Sequence, residues 1–432
     1  MRSRVRLSRR EASVRSQIEG SLAVARAVAL CRPEVVSAYP ISPQTHIVEA
    51  LSDMVRRREL APCEYLLVES EFGALSACIG ASAAGARTYT ATASQGLLYM
   101  AEALFNASGL GLPIVMTVAN RAIGAPINIW NDHSDAMSQR DSGWIQLYVE
   151  SNREAVDVHL QAFRLAEESS LPVMVCMDGF VLTHAVEEVD VPGQEQVDSF
   201  LPAFEPRQVL DPSEPLTIGA MVGPEAFTEV RYLAHAKQLQ ALDLVPEIAG
   251  GFTQTFGRTS GGLVRRYRTE GADTILLALG SVLGTVENVV DELRDEGASV
   301  GAVGVKCFRP FPVDEVRDAL AQARRVVVIE RAFAVGLGGI VGQDVRLALS
   351  DLPTAVYDVV AGLGGRAVTQ ASLRRLVADV LEDRLEPVGL HFLDLDWRLV
   401  ERELRRVSAD RRSGPHAENI LRDLGVVAAR AH

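Results

Sequence analysis

Residues that can exchange protons or bind charge follow four apolar runs, at the point where each run ends. A carboxylate such as Glu71 can act as an acid or base, and the planar guanidinium of Arg121 can hold a carboxylate by two parallel hydrogen bonds. Small residues in such turns let a ligand approach the backbone closely. The runs and the residues behind them are Val35–Ala38 with Ser42, Tyr65–Val68 with Glu71, Thr88–Ala91 with Ser94, Gln95 and Gly96, and Ile114–Val118 with Asn120 and Arg121.

Each of these residues also has an ordinary structural explanation. Ser42 could cap the helix that follows it, and Glu71 could simply favour a helix N-terminus. Arg121 could pair with Asp132 or Asp135 and order the loop behind it.

That loop, residues 120–144, is long and polar, and long loops inside compact domains are usually functional or disordered. We expect Asn131, Asp132 and His133 to support the site. With Asp135 they offer two carboxylates and one histidine without helical spacing, a weak set of metal ligands, so no metal is predicted on this chain.

Continuous apolar strands alternate with helical segments along most of the chain. This pattern predicts the α/β class, with two parallel sheets covered by helices. We expect a first domain over residues 1–258, a second over 259–388 and a helical tail over 389–432. Val186–Glu214 is predicted to be a linker or a long surface excursion, and Pro215–Gly257 to be mostly helical with a turn at Gly250 and Gly251.

Composition excludes several classes of protein. In the 432 residues, Asp and Glu outnumber Lys and Arg by 56 to 43, which argues against a general nucleic-acid binder. No two of the five cysteines form C-x-x-C, so neither a ferredoxin-type loop nor a zinc knuckle is predicted.

The basic segment Met1–Arg15 lacks the apolar core of a signal peptide. It is expected to be a solvated tail or an arm that binds an acidic partner. No run suits a membrane span, so a cytoplasmic protein is expected.

Asp178 and Gly179 match part of the Gly-Asp-Gly motif that holds Mg²⁺ and diphosphate in thiamine enzymes. Met177 stands where that motif has its first glycine, and no asparagine follows before Asn288. The sequence therefore lacks the diphosphate half of such a site.

Taken together, these motifs resemble the α subunit of the pyruvate:ferredoxin oxidoreductase family, the 2-oxoacid:acceptor oxidoreductases. The resemblance runs through nearly the whole chain. The matching segments are Y-P-I-S-P-Q-T-H-I-V-E at Tyr39–Glu49, E-S-E-F-G-A at Glu69–Ala74, A-S-Q-G at Ala93–Gly96, N-R-A-I-G-A-P-I-N-I-W-N-D-H-S-D at Asn120–Asp135, R-D-S-G-W-I-Q at Arg140–Gln146, D-G-F at Asp178–Phe180, F-G-R at Phe256–Arg258, F-R-P-F-P at Phe308–Pro312 and G-L-G-G-R at Gly362–Arg366.

The resemblance implies a fold and a set of partners. The first domain would be the pyrimidine-binding module of a thiamine diphosphate enzyme, and the second would resemble the transketolase C-terminal domain. A β subunit would hold the diphosphate and Mg²⁺. The [4Fe-4S] clusters would lie on the β and δ subunits, with a γ subunit or fusions of these chains completing the complex.

The resemblance also implies roles for individual residues. Glu71 matches the glutamate that hydrogen-bonds N1′ of the aminopyrimidine, and Arg121 matches the arginine that holds the 2-oxoacid carboxylate. Ser42 stands where the family usually has threonine, so a hydroxyl remains and a methyl contact is lost. The other expected contacts are Ser94, Gln95 and Gly96 to the cofactor, Asn120 to the substrate, and Asn131, Asp132 and His133 within the supporting loop.

The implied reaction converts pyruvate, CoA and oxidised ferredoxin into acetyl-CoA, CO₂ and reduced ferredoxin. A branched-chain 2-oxoacid is the second choice of substrate. A nonoxidative decarboxylase or an oxalate-type oxidoreductase on the same modules is another alternative. The alternative of a different class is a non-catalytic α/β scaffold subunit, in which Glu71 and Arg121 would point away from a shared cleft.

Overall fold

The computed structural model describes residues 14–215, 217–410 and 412–427. The basic segment Met1–Arg15 lies outside this part of the chain, except for its last two residues, which begin the first strand. Among the described residues, no helix combines the length and the apolar character needed to cross a membrane.

The first part of the chain alternates strands and helices. The strands are β1 (Val14–Glu19), β2 (Val35–Ala38), β3 (Glu64–Leu67), β4 (Thr88–Thr92), β5 (Ile114–Asn120), β6 (Ile145–Tyr148), β7 (Val173–Asp178) and β8 (Val186–Val191). The helices are α1 (Gly20–Leu30), α2 (Thr45–Arg56), α3 (Glu71–Ala83), α4 (Ser94–Tyr99), α5 (Ala101–Gly109), α6 (Ser134–Ser138), α7 (Asn152–Ser169), α8 (Gln194–Phe200) and α9 (Phe227–Phe256).

The second part repeats this alternation. Its strands are β9 (Val264–Tyr267), β10 (Thr274–Ala278), β11 (Val300–Val305), β12 (Cys307–Arg309), β13 (Arg325–Glu330), β14 (Ala355–Val360) and β15 (Leu390–Phe392). Its helices are α10 (Val282–Asp295), α11 (Val313–Leu320), α12 (Val341–Ala348), α13 (Gln370–Leu381), α14 (Trp397–Ala409) and α15 (His416–Asp423), with a short 3₁₀ turn at Leu363–Gly365.

Two sheets form the layers, and the predicted α/β class is confirmed. The larger has the order β12-β6-β7-β5-β4-β2-β3 and the smaller β15-β14-β13-β10-β11-β9. Both are parallel except for β12 and β9, which run antiparallel at sheet edges. β4, β5 and β7 are buried along their whole length, as is typical of parallel strands covered by helices on both faces.

The two parts of the chain share structure at their boundary. β12 follows the second part's β11 but pairs with β6 of the larger sheet. Beside it, the Lys306 ammonium lies 2.9 Å from Glu150 Oε2 and 2.8 Å from Glu154 Oε2, all nearly buried. The domain boundaries at 258/259 and 388/389 stay predictions, because this crossing strand joins the first two segments.

Three segments differ from the prediction. Val186–Glu214 contains β8, which pairs antiparallel with β1, and the helix α8, so it is not simply a linker. α9 continues through Gly250 and Gly251 without a turn, held by buried Ile248 and Phe252. The tail begins with β15, which joins the smaller sheet beside β14, before its two helices.

Candidate active site

Four neighbouring strands bring the predicted site residues to one edge of the larger sheet. β5, β4, β2 and β3 are adjacent and parallel, so their carboxyl ends lie side by side. The segments that follow them carry, in this spatial order, Arg121, Ser94, Ser42 and Glu71. Such an edge is where open α/β sheets bind ligands.

Arg121 is only 7% exposed, yet within the described residues no carboxylate pairs with its guanidinium. Nη1 donates to the Ser42 carbonyl (2.7 Å) and Nη2 to Gln95 Oε1 (3.2 Å). Nε donates to the Asn128 carbonyl at 3.2 Å. These acceptors are neutral, and a guanidinium has five N–H donors, so two remain for a ligand. Burial lowers the pKa of Arg121, an effect that the Asp135 charge opposes, and a bound anion would stabilise the cation further.

Neither neighbouring aspartate binds this guanidinium. Asp135 Oδ2 accepts the backbone N–H of Arg121 at 2.9 Å. Asp132 accepts the N–H groups of Ser134 and Gly364, both at 3.0 Å. No contact between the Arg121 guanidinium and either aspartate side chain therefore supports the alternative in which this group orders its loop through an ion pair.

Glu71 is the first residue of α3, and the helix start is fixed by its cap. The Ser70 hydroxyl accepts the Gly73 N–H at 3.1 Å. Glu71 is 9% exposed, and no residue in the described part of the chain donates a hydrogen bond to its carboxylate. A Cβ built on Gly96 would lie 2.8 Å from Glu71 Oε1, so only glycine leaves this carboxylate its space. The carboxylate is thus buried, and its acceptor capacity is left for a ligand.

The turn after β4 joins these two charged residues. Gln95 bonds to Arg121, while Gly96 lies against Glu71. Ser94 has a φ of 47°, in the left-handed region that residues with a Cβ rarely adopt. Its hydroxyl donates at 2.5 Å to the carbonyl of the residue after Arg121, which links the turns behind β4 and β5.

Ser42 reaches the site through its backbone. Its carbonyl accepts from Arg121, and its exposed hydroxyl has no partner among the described residues. Ser42 is not a helix cap, because α2 begins at Thr45 with Gln44 at the N-cap position. The Gln44 amide instead donates to the Tyr39 carbonyl at 2.9 Å, which closes the turn.

The predicted supporting residues lie between the loop and the second part of the chain. The His133 N–H donates to the Arg331 carbonyl at 2.9 Å, and Arg331 Nη2 donates to the Asn131 carbonyl at 3.2 Å. Asp132 Oδ2 accepts the Gly364 N–H. These residues therefore anchor the loop. Fully buried Asn120 lies behind the edge, where its Nδ2 donates to an aspartate, and its contact with substrate stays a prediction.

Asp178 is occupied by contacts from both parts of the chain. Its carboxylate accepts from His133 Nε2 (2.8 Å) and the Ser281 N–H (2.8 Å), and lies 3.1 Å from Arg331 Nη1. Burial alone would raise the pKa of Asp178, but the Arg331 and His133 charges outweigh it and hold the pKa well below its usual range. In the portion of the chain described, no group of three His, Cys, Asp or Glu side chains could hold a metal ion.

Sequence reasoning assigned no role to Asn128 or Arg331. Asn128 receives the Arg121 Nε bond and donates its own Nδ2 to the Gly364 carbonyl at 3.1 Å, so the second part of the chain helps to position Arg121. The sequence position of Arg331 could have indicated a role at the site, because Arg331 directly follows the strand β13 just as Arg121 directly follows β5.

Two protein-family models match this chain. Residues 26–249 match the thiamine-diphosphate-binding domain of pyruvate flavodoxin/ferredoxin oxidoreductase. Residues 272–373 match the pyruvate:ferredoxin oxidoreductase core domain II.

Several curated relatives are similar over most of their length. Pyruvate synthase subunit PorA of Methanosarcina barkeri is 47% identical over 390 residues, which are 89% of this chain and 97% of the relative. PorA of Pyrococcus furiosus is 42% identical, over 90% of this chain and all of the relative. Ketoisovalerate oxidoreductase subunit VorA of Pyrococcus horikoshii is 38% identical, over 85% of this chain and 94% of the relative.

A solved structure shares the fold. The 2-oxoglutarate:ferredoxin oxidoreductase of Magnetococcus marinus superposes with a TM-score of 0.63 at 21% sequence identity, over 84% of this chain. This chain spans 65% of that longer chain. From the matched domains and the identity to full-length relatives, this chain belongs to the pyruvate:ferredoxin oxidoreductase family, as an α subunit.

Proposed function

We propose that this chain supplies the aminopyrimidine and substrate-carboxylate contacts of a thiamine-diphosphate-dependent pyruvate:ferredoxin oxidoreductase. One observation carries the proposal: Arg121, a buried cation with two unused donors and no carboxylate partner among the described residues, lies on the same sheet edge as Glu71. A guanidinium in this state favours a small carboxylate ligand.

The residues present fit thiamine diphosphate. Glu71 offers a carboxylate to which no residue of the described chain donates a hydrogen bond, and Gly96 leaves a space that a Cβ would fill. When bound, the cofactor supplies the carbanion chemistry that decarboxylates a 2-oxoacid. Glu71 would hold the aminopyrimidine and favour its proton transfer, while Ser94, Gln95 and Gly96 would line it. Arg121 would orient the substrate carboxylate, with Ser42 beside it.

The partners follow from the division of the site. A β subunit would bind the diphosphate and Mg²⁺. The [4Fe-4S] clusters would lie on the β and δ subunits, and a γ subunit would complete the complex. CoA accepts the acetyl group, and oxidised ferredoxin accepts the two electrons removed when the two-carbon fragment that remains after CO₂ has left is oxidised to that acetyl group. We place this complex in the cytoplasm.

Pyruvate is the preferred substrate because the PorA relatives are 42–47% identical to this chain, against 38% for VorA. The same geometry would serve a branched-chain 2-oxoacid, because Arg121 contacts only the carboxylate. Ser42→Thr adds one methyl beside the substrate. It is expected to change the ratio of kcat/KM between these acids by a smaller factor than the decrease in kcat/KM caused by losing a hydrogen bond to Arg121.

The test is to copurify the complex and measure reduction of ferredoxin by pyruvate, 2-oxoisovalerate or 2-oxoglutarate, with and without CoA. We expect the highest kcat/KM with pyruvate, full turnover only with CoA, and no turnover by this chain alone. A complex without 2-oxoacid-dependent reduction, or activity of the isolated chain, would contradict the proposal.

A further inference from the structure

A fully buried carboxylate, that of Asp135, lies directly behind the candidate site. Its Oδ2 accepts the backbone N–H groups of Ser94 and Arg121, both at 2.9 Å. Its Oδ1 accepts Asn120 Nδ2 and the Ala136 N–H, both at 2.8 Å. Four N–H donors thus converge on a group that has no exposed surface.

These donors belong to separate segments of the chain. Ser94 follows β4 and Arg121 follows β5, whereas Asp135 lies on α6. The left-handed backbone of Ser94 requires such support, because its φ of 47° is unfavourable for a residue with a Cβ. One oxygen of Asp135 therefore fixes the backbone at two strand ends at once.

The same two strand ends carry the side chains that meet in the site. The Arg121 guanidinium bonds to Gln95, the residue next to Ser94. Resting on the proposed function, we infer that Asp135 is a positioning residue, which sets the place of the Arg121 guanidinium by holding the backbone of Ser94 and Arg121 together. It does not touch the substrate.

An amide cannot replace this carboxylate. Each oxygen accepts two N–H groups, so Asn at position 135 would point its NH₂ at two donors in either of its orientations. Asp135→Asn has nearly the same volume, so its effect comes from two lost acceptor contacts and not from a cavity.

The experiment measures pyruvate kinetics and thermal stability of the assembled complex with Asp135→Asn. The Arg121 contact is made to the carboxylate of the bound substrate, and it weakens as that group loses its charge and leaves as CO₂. KM is therefore expected to rise about 10- to 100-fold while kcat changes less than about threefold. Asp157→Asn is the matched control. Asp157, on α7, is also buried, but it pairs with Arg258 and makes no hydrogen bond to Ser94 or Arg121 in the described chain, so its variant is expected to lose stability with KM unchanged.

A KM within twofold of wild type in an assembled Asp135→Asn complex would overturn the inference, even if the complex melts earlier. If this variant does not assemble, Asp135→Glu replaces it, because it keeps the charge but displaces both oxygens by a methylene. A KM raised at least about fivefold would then support the inference, and a KM within twofold would overturn it. Failure of the proposed function is distinguishable, since the wild-type complex itself would then lack 2-oxoacid-dependent reduction.

Discussion

Replacing Arg121 by lysine keeps the positive charge but removes the planar fork. The native guanidinium makes three bonds to neutral acceptors and retains two donors. A lysine ammonium has three donors on a flexible, shorter side chain and cannot serve the three acceptors and a carboxylate together. The substrate therefore loses at least one charge-assisted hydrogen bond, which contributes about 1.5–3 kcal/mol.

This loss predicts a decrease of roughly 10- to 150-fold in kcat/KM for pyruvate, mainly through KM. The assay is steady-state ferredoxin reduction by the assembled complex, beside the Kd of thiamine diphosphate and a melting curve. Arg140→Lys is the matched control, because Arg140 lies in the same loop and donates to the Met137 carbonyl instead. We expect Arg140→Lys to leave KM near wild type, and the cofactor Kd to stay close to wild type in both variants.

The reasoning is refuted if Arg121→Lys lowers the melting temperature but leaves KM unchanged. That result would assign Arg121 to ordering the loop, through its bonds to the carbonyls of Ser42 and Asn128. It would also remove the observation on which the proposed function rests.

Three further predictions concern other parts of the molecule. Gly96→Ala places a Cβ 2.8 Å from Glu71 Oε1, so the Kd of thiamine diphosphate, measured by titration of the assembled complex, should rise at least tenfold. Lys306→Met leaves the buried Glu154 carboxylate without its cation, while Glu150 keeps its ion pair with Arg265, and it should cost about 3–5 kcal/mol in denaturant unfolding. Lys237→Met, at a lysine without an ion pair in the described chain, should cost under about 1 kcal/mol. Burial raises the pKa of Glu330 to about 7, although the three N–H groups that it accepts at the start of α12 act in the opposite direction. The stability that Glu330 contributes is therefore present below about pH 4.5 and lost as the pH rises through 7. The difference in unfolding free energy between wild type and Glu330→Gln should shrink across this pH range, and a constant difference would contradict this.

Much of the fold follows from local sequence. The predicted runs give β2, β4 and β5 within two residues, because strands buried on both faces carry no charged residues that would interrupt the pattern. The placement of Ser42, Glu71, Ser94 and Arg121 on one edge also follows, since parallel strands end on the same side.

The remainder depends on contacts that no local pattern encodes. β8 mixes apolar and acidic residues without a regular alternation, and it forms a strand by pairing with β1, which lies more than 160 residues earlier in the chain. The glycine pair Gly250 and Gly251 stays helical because the flanking apolar residues pack against α7 and α8, which outweighs the low helix propensity of glycine.

Within the site, residue types were predictable but their partners were not. In the sequence, Asp135 is one of several aspartates in a polar loop. Only the fold shows that it accepts two backbone N–H groups from the ends of different strands. Asp178 and His133 are 45 residues apart in sequence, and their contact forms where the loop meets the second part of the chain.

The central claim is that Glu71 serves the cofactor of a 2-oxoacid oxidoreductase, and one comparison tests it most directly. Pyruvate-dependent ferredoxin reduction is measured for the assembled complex with Glu71→Gln and with Glu69→Gln, an exposed glutamate two residues earlier. The amide retains hydrogen bonding but cannot favour proton transfer, so Glu71→Gln should lose at least about 10²-fold in kcat, while Glu69→Gln stays near wild type. A folded, assembled Glu71→Gln complex with near-normal kcat would contradict the account.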